Sequence, residues 1–382
     1  MLGHIIPAIG LGKELKSAGH KVFFLANKMH ESLILKADLN FVETGWDKFP
    51  SRFIMEFTNE LIETLKEIKV DLVICDSAQA PAAFAAEKNA IPWVSFQTTV
   101  PLPDSSLPGK SKVNERLRVL YGQNLNKVRE HFQLKPLKNS IRTRGDLVGL
   151  SPYLHLLMVH EKLVDREAYL PPNTKIVGFC SYTSTVNIRE LNHLPNATNL
   201  LVCTTSLTRT EYLEITENYL EDIFETFGDD DKFNIVVTAP PEYKEKNPPK
   251  KNITWLHEIP IHDSIMPSID IVISHGGTST IQRMMRYGKP GVIIPLGDDQ
   301  PTLTERFSKL GSIKVMSPSE INKTSIKQSV NELIRNKEFQ TQALNLANHL
   351  KQNDPNEMAS KEVELFLKKL KAGNKICLNQ KI

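Results

Sequence analysis

One stretch in the second half of the chain constrains the fold more than any other. Residues 269–273 (IDIVI) are a short apolar run rich in β-branched residues, typical of a strand buried on both faces of a parallel sheet. The run leads into a histidine, two glycines and three hydroxyl residues. Gly288 and Pro290 then predict the end of a helix, and residues 291–294 (GVII) predict the next strand. The stretch is therefore predicted to form a βαβ unit.

The polar groups of this unit gather at one end. Two glycines permit a tight turn and a close approach of ligand to backbone, and the hydroxyl residues that follow are candidates for the helix N-cap. A strand that enters a helix through such a turn presents free N–H groups and the positive end of the helix dipole, which suit a phosphate. The predicted phosphate-site residues are His275, Gly276, Gly277, Thr278, Ser279 and Thr280.

A second pair of polar side chains follows the second strand of the unit. Asp299 and Gln300 are expected at the carboxyl edge of the same sheet, where open α/β sheets bind ligands. A carboxylate and an amide suit the recognition of hydroxyl groups. Phosphate at one end and sugar-like hydroxyls at the other predict a nucleotide-sugar site.

The spacing of these residues resembles a known family. His275-Gly276-Gly277, Gly288-x-Pro290 and Asp299-Gln300 resemble the donor site of the UDP-glycosyltransferases, the large family of inverting GT-B enzymes. The resemblance implies an α/β fold, GT-B, with two doubly wound Rossmann-like domains facing a cleft and a C-terminal helix crossing back to the first domain. It also implies a UDP-sugar donor, UDP-glucose being the expected one, and no metal or other cofactor.

Two positions depart from the family pattern. Arg283 stands where the family usually has a glutamate that accepts hydrogen bonds from ribose, and arginine can only donate. Arg283 either points at the donor, because it shares a helical face with Ser279 and Thr280, or is a solvated surface arginine. Thr205 stands at a position that is usually glycine, beside Ser206, and the resemblance places both at the donor phosphates.

The resemblance also covers the base-binding region. In relatives a tryptophan at the position of Trp255 stacks on uracil, and His262 stands near the position of a glutamine that holds the base. The alternative for Trp255 is packing in the core under the sheet, since tryptophan is often largely buried.

The amino terminus begins unusually. Met1 to Pro7 enter directly into a helix predicted to run to about Ala18, and residues 21–25 (KVFFL) predict a strand. In the family a further apolar strand precedes this helix, and a doubly wound domain places that strand at the middle of its sheet. We therefore expect a central gap with unpaired backbone groups on both sides. Either the sequence is a shortened version of a longer chain, which we favour, or the domain compensates in another way.

Two residues of the first domain match the catalytic positions of the family. By its place in Gly3-His4-x-x-Pro7, His4 matches the histidine that acts as general base on the acceptor, a role that suits a pKa near neutrality. Asp76 follows the predicted strand 70–75 and matches the aspartate that orients this histidine. The alternatives are a disordered terminal histidine and an aspartate that caps the next helix.

Length and composition bound the remaining possibilities. With 382 residues, 40% of them hydrophobic, the chain suits two domains, predicted as 1–185 for the acceptor, a linker 186–198, 199–355 for the nucleotide sugar, and a C-terminal helix and tail 356–382. The net charge is +3, and the sequence has no basic run with interleaved aromatic residues, which argues against nucleic acid as the main partner. Four dispersed cysteines predict buried free thiols in a reducing compartment. We expect a soluble, cytoplasmic monomer without stable membrane insertion.

These observations predict an inverting glycosyltransferase that moves sugar from a UDP-sugar to a hydroxyl of a small, largely apolar acceptor. Two alternatives stay open. The protein is either a non-catalytic GT-B homologue that binds a nucleotide or partner, in view of Arg283 and Thr205, or a glycosyltransferase acting on a lipid-linked precursor, since such enzymes share the Gly-His-x-x-Pro segment.

Overall fold

The computed structural model describes residues 2–45, 53–101, 122–137, 141–143, 145–165, 170–183, 194, 196–204, 210–247, 249–257, 260–297, 299–350 and 353–372. The chain divides into two compact units. The N-terminal unit comprises His4–Ser181 together with Pro355–Ile382, and the C-terminal unit comprises Tyr182–Asp354 together with Met1–Gly3.

The C-terminal unit contains a parallel sheet of six strands. The strands are β7 (Thr198–Cys203), β8 (Phe233–Thr238), β9 (Ile253–Leu256), β10 (Ile271–Ser274), β11 (Gly291–Ile293) and β12 (Ile313–Val315). Their order is β12-β11-β10-β7-β8-β9, so the first strand along the chain lies at the middle. This is the strand order of a Rossmann fold.

Helices alternate with these strands. They are α6 (Thr210–Phe227), α7 (Pro241–Lys246), α8 (His262–Ile265), α9 (Thr278–Tyr287), α10 (Gln300–Ser308), α11 (Lys323–Arg335) and α12 (Lys337–Leu350). β8, β10 and β11 are buried throughout, and β7 is buried from Leu200 onward. One core cluster joins their side chains to the apolar faces of α6 and α11, with Leu200, Ile273 and Phe224 among its members. Burial on both faces explains why these strands are continuous apolar runs in the sequence.

The N-terminal unit is also α/β, but its strands form two separate sheets. The strands are β1 (Phe23–Ala26), β2 (Asn40–Glu43), β3 (Val73–Asp76), β4 (Trp93–Gln97), β5 (His155–Leu157) and β6 (Thr174–Ile176). β1 pairs with β2, and the second sheet has the order β3-β4-β5-β6, with parallel pairing throughout. Among the described residues no ladder joins β1 to β3, and the expected gap in this sheet is therefore present.

The helices of this unit include the last one of the chain. They are α1 (Leu2–Ser17), α2 (Glu31–Lys36), α3 (Ile54–Ile68), α4 (Ala80–Lys88), α5 (residues 122–131) and α13 (Pro355–Lys371). Val363 and Phe366 of α13 pack in one cluster with Leu11 and Leu15 of α1. The predicted return of the C-terminal helix to the first domain is therefore confirmed.

Three of the four cysteines fall within the described residues. Cys75, Cys180 and Cys203 are buried and none of them is in a disulfide, as predicted from their apolar surroundings. Burial raises the pKa of Cys75 and of Cys203 to about 12, so these thiols stay protonated at neutral pH.

Candidate functional site

The carboxyl ends of β7 and β10 meet where the strand order of the C-terminal sheet reverses. These strands are parallel neighbours, with Cys203 opposite Ser274. β8 and β9 continue on one side and β11 and β12 on the other, so this is the topological switch point at which open α/β sheets bind ligands. Thr204 and His275 follow the two strands and therefore lie next to each other at this point.

The turn between β10 and α9 requires glycine. Gly276 has φ +81°, and a Cβ at this position would lie 2.8 Å from both Thr304 Oγ1 and Ile293 Cγ2. The Gly276 N–H donates to Ser274 Oγ at 3.0 Å. Left-handed backbone geometry and close packing both exclude a larger residue here.

The first turn of α9 has no side-chain cap among the described residues. The helix begins at Thr278 with Gly277 as its N-cap. Our expectation of a hydroxyl cap was wrong, because Thr278, Ser279 and Thr280 all lie inside the helix. By contrast, Asn322 caps α11 by accepting from two backbone N–H groups. The Thr280 N–H donates to the Gly277 carbonyl at 3.0 Å, so the N–H groups of Thr278 and Ser279, together with the helix dipole, are the ones that suit an anion.

His275 is buried beside this helix start. Its imidazole covers Gly277, where a Cβ would lie 2.7 Å from Nε2. Burial lowers the pKa of His275 to about 4, opposed by a hydrogen bond to the Cys203 backbone, so the side chain is neutral at pH 7. Neither His275 Nδ1 nor Thr204 Oγ1 has a hydrogen-bond partner among the described residues, although both are buried. Two such atoms beside an uncapped helix indicate a polar ligand.

Asp299 is the N-cap of helix α10 and Gln300 is its first residue. Thr278 Oγ1 donates to Asp299 Oδ2 at 3.2 Å, which joins the two helix starts. Gln300 Oε1 accepts from the N–H groups of Leu296 and Gly297, at 2.9 and 3.4 Å. The carbonyl of Gln300 therefore holds its own loop, and its amide nitrogen is the group that can donate to a ligand hydroxyl.

Arg283 is not a solvated arginine. Its side chain is 4% exposed, and Nε donates to Oδ2 of Asp263 at 2.8 Å. A second donor, Nη1, lies 3.4 Å from the Ser279 carbonyl oxygen. Asp263, in the short helix α8, was missed by the sequence analysis, because a carboxylate twenty residues away in the sequence gives no local signal. The assignment of Arg283 to the donor stays a prediction.

Trp255 and His262 lie deeper in the C-terminal unit. Trp255 is partly buried against the core, with Phe224 edge-on at 5.5 Å and His257 stacked at 6.3 Å between ring centroids. The Nε2 of His262 lies 3.0 Å from Thr238 Oγ1, and burial lowers the pKa of this histidine to about 3. Core packing accounts for these contacts, and stacking of Trp255 on uracil stays a prediction. Thr205 and Ser206 lie outside the described residues.

His4 and Asp76 meet in the N-terminal unit. His4 lies in the first turn of α1, and its Nδ1 is hydrogen-bonded to Oδ2 of Asp76, the last residue of β3. The other carboxylate oxygen accepts from the Ala78 N–H at 2.9 Å. The alternative in which Asp76 caps the next helix is wrong, because Gln79 is the N-cap of α4. Both side chains are mostly buried, but the side chain of His4 is 22% exposed and that of Asp76 is 11% exposed.

The described residues contain no group of three His, Cys, Asp or Glu side chains arranged to hold a metal ion. Among the described helices, none combines the length and the apolar character that crossing a bilayer requires.

The chain has two Rossmann-like α/β units. One has a switch point suited to phosphate, and the other has a histidine–aspartate pair. These features define the class as α/β nucleotide-binding proteins. Two family models match the chain. The glycosyltransferase family 28 N-terminal domain matches residues 2–95, and the family 28 C-terminal domain matches residues 210–361, together more than half of the sequence. The chain belongs to the GT-B glycosyltransferases, and the resemblance to that class is confirmed.

Curated relatives agree with this assignment. The uncharacterized UDP-glucosyltransferase YojK of Bacillus subtilis is 20% identical over an alignment of 382 positions that covers 91% of each chain. YdhE of the same organism, also named an uncharacterized UDP-glucosyltransferase, is 30% identical over 99 residues, 24% of this chain and a quarter of that protein. The UDP-N-acetylglucosamine--N-acetylmuramyl-(pentapeptide) pyrophosphoryl-undecaprenol N-acetylglucosamine transferase of Clostridium tetani is 24% identical over 88% of each chain.

A solved structure supports the fold. The glycotransferase of kitacinnamycin superposes with a TM-score of 0.76 over 96% of each chain, at 18% sequence identity. Sequence identity at this level indicates a shared fold only, and the donor and acceptor of the kitacinnamycin enzyme are not transferred to this chain.

Proposed function

We propose that this protein transfers a sugar, with inversion, from a UDP-sugar to a hydroxyl of a small, largely apolar acceptor, and that UDP-glucose is the donor. The observation that carries the proposal is the uncapped start of α9 together with His275 Nδ1 and Thr204 Oγ1 at the ends of the neighbouring strands β10 and β7, two buried polar atoms without a partner among the described residues.

The diphosphate of the donor suits this arrangement. The N–H groups of the first turn of α9 and the helix dipole stabilise negative charge, which increases on the diphosphate as the bond to the sugar breaks. Neutral His275 donates a hydrogen bond to a phosphate oxygen in the tautomer that carries its proton on the unpartnered Nδ1. Asp299 accepts from sugar hydroxyls, and the amide nitrogen of Gln300 donates to them. Thr205, Ser206 and Trp255 stay in the proposal as contacts implied by the family.

The chemical step that we propose uses His4 as general base. With Nδ1 held by Asp76, Nε2 takes the proton from the acceptor hydroxyl while that oxygen attacks the anomeric carbon of the sugar. The bond from this carbon to the diphosphate breaks on the opposite face, which inverts the configuration and releases UDP. The carboxylate of Asp76 stabilises the imidazolium that forms.

A binding measurement tests the donor site apart from catalysis. UDP titrated into the protein in a calorimeter is expected to bind, and His275→Ala is expected to weaken binding about tenfold or more, the loss of one hydrogen bond to a charged group. Asn322→Ala is the matched control, because it removes the cap of α11, a helix start that the proposal does not use. Equal losses in both variants would show that general stability, and not the site, sets the affinity.

A transfer measurement tests the reaction. UDP-glucose is incubated with a panel of phenolic acceptors, and UDP release and glycoside formation are both followed. The anomeric configuration of the product, read by NMR, is expected to be inverted. A product with retained configuration would contradict the direct displacement.

Two rival functions are outcomes of the same experiments. UDP binding without transfer to any acceptor would favour the non-catalytic homologue. The structural reason would be the buried Arg283–Asp263 pair, in which the guanidinium is bound to Asp263. Transfer of N-acetylglucosamine only to a polyprenyl-linked acceptor would favour the lipid-linked reaction, by analogy with the relative from Clostridium tetani.

A further inference from the structure

The loop after β11 leads to the two residues that we assign to the donor sugar. We call residues 294–297 the β11 loop. It begins in the core cluster that includes the apolar face of α6, where Ile294 is fully buried and Leu296 is partly buried. It leads to Asp299 and Gln300 at the start of α10. The geometry of this loop therefore decides where the carboxylate of Asp299 and the amide of Gln300 point.

The end of the β11 loop is bonded to Gln300 through both backbone groups of one residue. The Gly297 N–H donates to Gln300 Oε1 at 3.4 Å, and the Gly297 carbonyl accepts from the Gln300 N–H at 3.1 Å. The Leu296 N–H donates to the same side-chain oxygen at 2.9 Å. Because Oε1 is bound to the loop, the direction of the side-chain amide nitrogen follows the position of Gly297.

Tyr212 of α6 lies against Gly297. A Cβ added at Gly297 would overlap the hydroxyl oxygen of Tyr212 and would lie 3.0 Å from Cζ of its ring. Gly297 does not have a positive φ, so glycine is required here by the close approach of the tyrosine and not by backbone conformation. Gly297 is therefore in contact with Tyr212 as well as with Gln300.

The contact belongs to one particular side chain in the first turn of α6. Leu213, the next residue of the helix, packs against the core cluster, whereas Tyr212 is partly buried and directs its hydroxyl to the β11 loop. Successive residues of a helix point in directions about 100° apart, which allows these two roles side by side. The start of α6 thus has one side chain that anchors the helix and another that supports the loop.

We propose that Tyr212 is a positioning residue for recognition of the donor sugar. By filling the space beside Gly297 it holds the β11 loop in place, and Gln300, bound to that loop, then presents its amide nitrogen to the sugar hydroxyls. Asp299, whose carboxylate accepts from Thr278, directly precedes Gln300 and is held with it. The inference rests on the proposed function, because it takes Asp299 and Gln300 as the residues that bind the sugar.

The diphosphate has separate contacts. The N–H groups of Thr278 and Ser279 and the Nδ1 of His275, which we assign to it, belong to the β10–α9 turn, and the β11 loop is not part of that turn. A shift of the loop is therefore expected to weaken binding of the sugar and to leave binding of UDP nearly unchanged. Comparison of the two ligands separates a positioning role from general destabilisation, which would weaken both.

Calorimetric titration of the full chain with UDP and with UDP-glucose makes this comparison. Tyr212→Ala is expected to raise the Kd of UDP-glucose about five- to tenfold, equivalent to the loss of one hydrogen bond, and to keep the Kd of UDP within about twofold. Tyr212→Phe keeps the ring beside Gly297 and is expected to raise the Kd of UDP-glucose by no more than about threefold. Equal weakening of both ligands in Tyr212→Ala would overturn the proposal.

Gly297→Ala changes the same contact from the side of the loop. The added methyl group overlaps the hydroxyl of Tyr212, which lies at the far end of its side chain, so the tyrosine is expected to turn away. The Kd of UDP-glucose is expected to rise as in Tyr212→Ala. The double variant is expected to bind UDP-glucose no more weakly than Tyr212→Ala alone, because both changes act through one contact. Additive losses would overturn the proposal.

Leu213→Ala is the matched control, because it truncates the neighbouring side chain of α6, which packs against the core. It is expected to lower stability without changing the ratio of the two Kd values. An unchanged ratio in Tyr212→Ala, or the same change in Leu213→Ala, would overturn this inference while the proposed function stands. Absence of UDP or UDP-glucose binding to the unchanged chain would overturn the proposed function and this inference together.

Discussion

Arg283 and Asp263 form a buried ion pair in which Nε donates to Oδ2 across 2.8 Å, with the two side chains 4% and 3% exposed. The pair joins α8, which precedes β10, to α9, which follows it, so the elements on both sides of β10 are tied together next to the phosphate-suited turn. Burial also raises the pKa of Tyr287, with Asp263 adding to this effect, which places the tyrosine in the same electrostatic environment.

Removal of one partner is expected to destabilise the C-terminal unit strongly. Arg283→Met leaves an uncompensated buried carboxylate, and the free energy of unfolding is expected to fall by about 3–5 kcal/mol. Urea dependence of hydrogen exchange in β7 and β10 measures it within this unit. The double variant Arg283→Met with Asp263→Leu removes both charges and is expected to recover much of the loss. A double variant as unstable as the single one would contradict this account.

The sequence predicted the site where its signals are local. Glycine, hydroxyl and histidine residues between two apolar runs specify the β10–α9 turn, and Gly288, with φ +63°, ends α9 where the pattern predicted. The partner of Arg283 could not be predicted in this way. Asp263 lies in a separate helix, and the choice between ligand, solvent and ion pair depends on tertiary packing that periodicity does not encode.

The N-terminal sheet gives a complementary lesson. The gap between β1 and β3 was expected from the family resemblance, in which a strand precedes the first helix, together with the rule that a doubly wound domain puts its first strand in the middle. Contact between His4 and Asp76 was likewise expected from their places in the family pattern, and it is present. The hydroxyl cap of α9 was predicted wrongly, because Gly277 is the N-cap and the helix already begins at Thr278. Boundaries at this scale depend on backbone geometry.

The histidine–aspartate pair makes a prediction about catalysis. His4→Ala is expected to lower kcat by a factor of about 100 to 10,000, the usual contribution of a general base. UDP affinity is expected to be unchanged, because donor binding is assigned to the other unit. Asp76→Asn keeps the size of the side chain but stabilises the imidazolium less, and its kcat is expected to fall as well. Loss of UDP affinity in either variant would show a different role for the pair.

The turn at Gly276 makes a prediction about the stability of the C-terminal unit. Gly276→Ala forces an alanine to φ +81° and into contact with Thr304 and Ile293, at an expected cost of about 3 kcal/mol or more in the free energy of unfolding. Gly311→Ala is the matched control, because its φ is +76° and its closest neighbour, Gln342 Cγ, is at an ordinary 3.4 Å. The control is expected to cost about 1 kcal/mol and to leave UDP affinity unchanged.

Stability of the C-terminal unit is expected to fall in mild acid. Burial lowers the pKa of His275 to about 4 and that of His262 to about 3, where Arg283 also lowers it and Asp263 opposes this. The unfolded chain takes up these protons near pH 6.5, about 6.5 being the ordinary histidine pKa, and the folded protein does not until the lower values. Unfolding is therefore favoured progressively as the pH falls below about 6.5.

The slope of this loss identifies its source. Each histidine contributes up to about 1.4 kcal/mol per pH unit, and the two contributions add between pH 6 and pH 5, before most carboxylates begin to titrate. Urea dependence of hydrogen exchange in β7 and β10 at a series of pH values measures the slope. His275→Gln removes one titrating group and is expected to reduce the slope by about half, whatever its effect on stability at pH 7.5. An unchanged slope would mean that other groups cause the acid sensitivity, and that His275 is protonated in the folded protein.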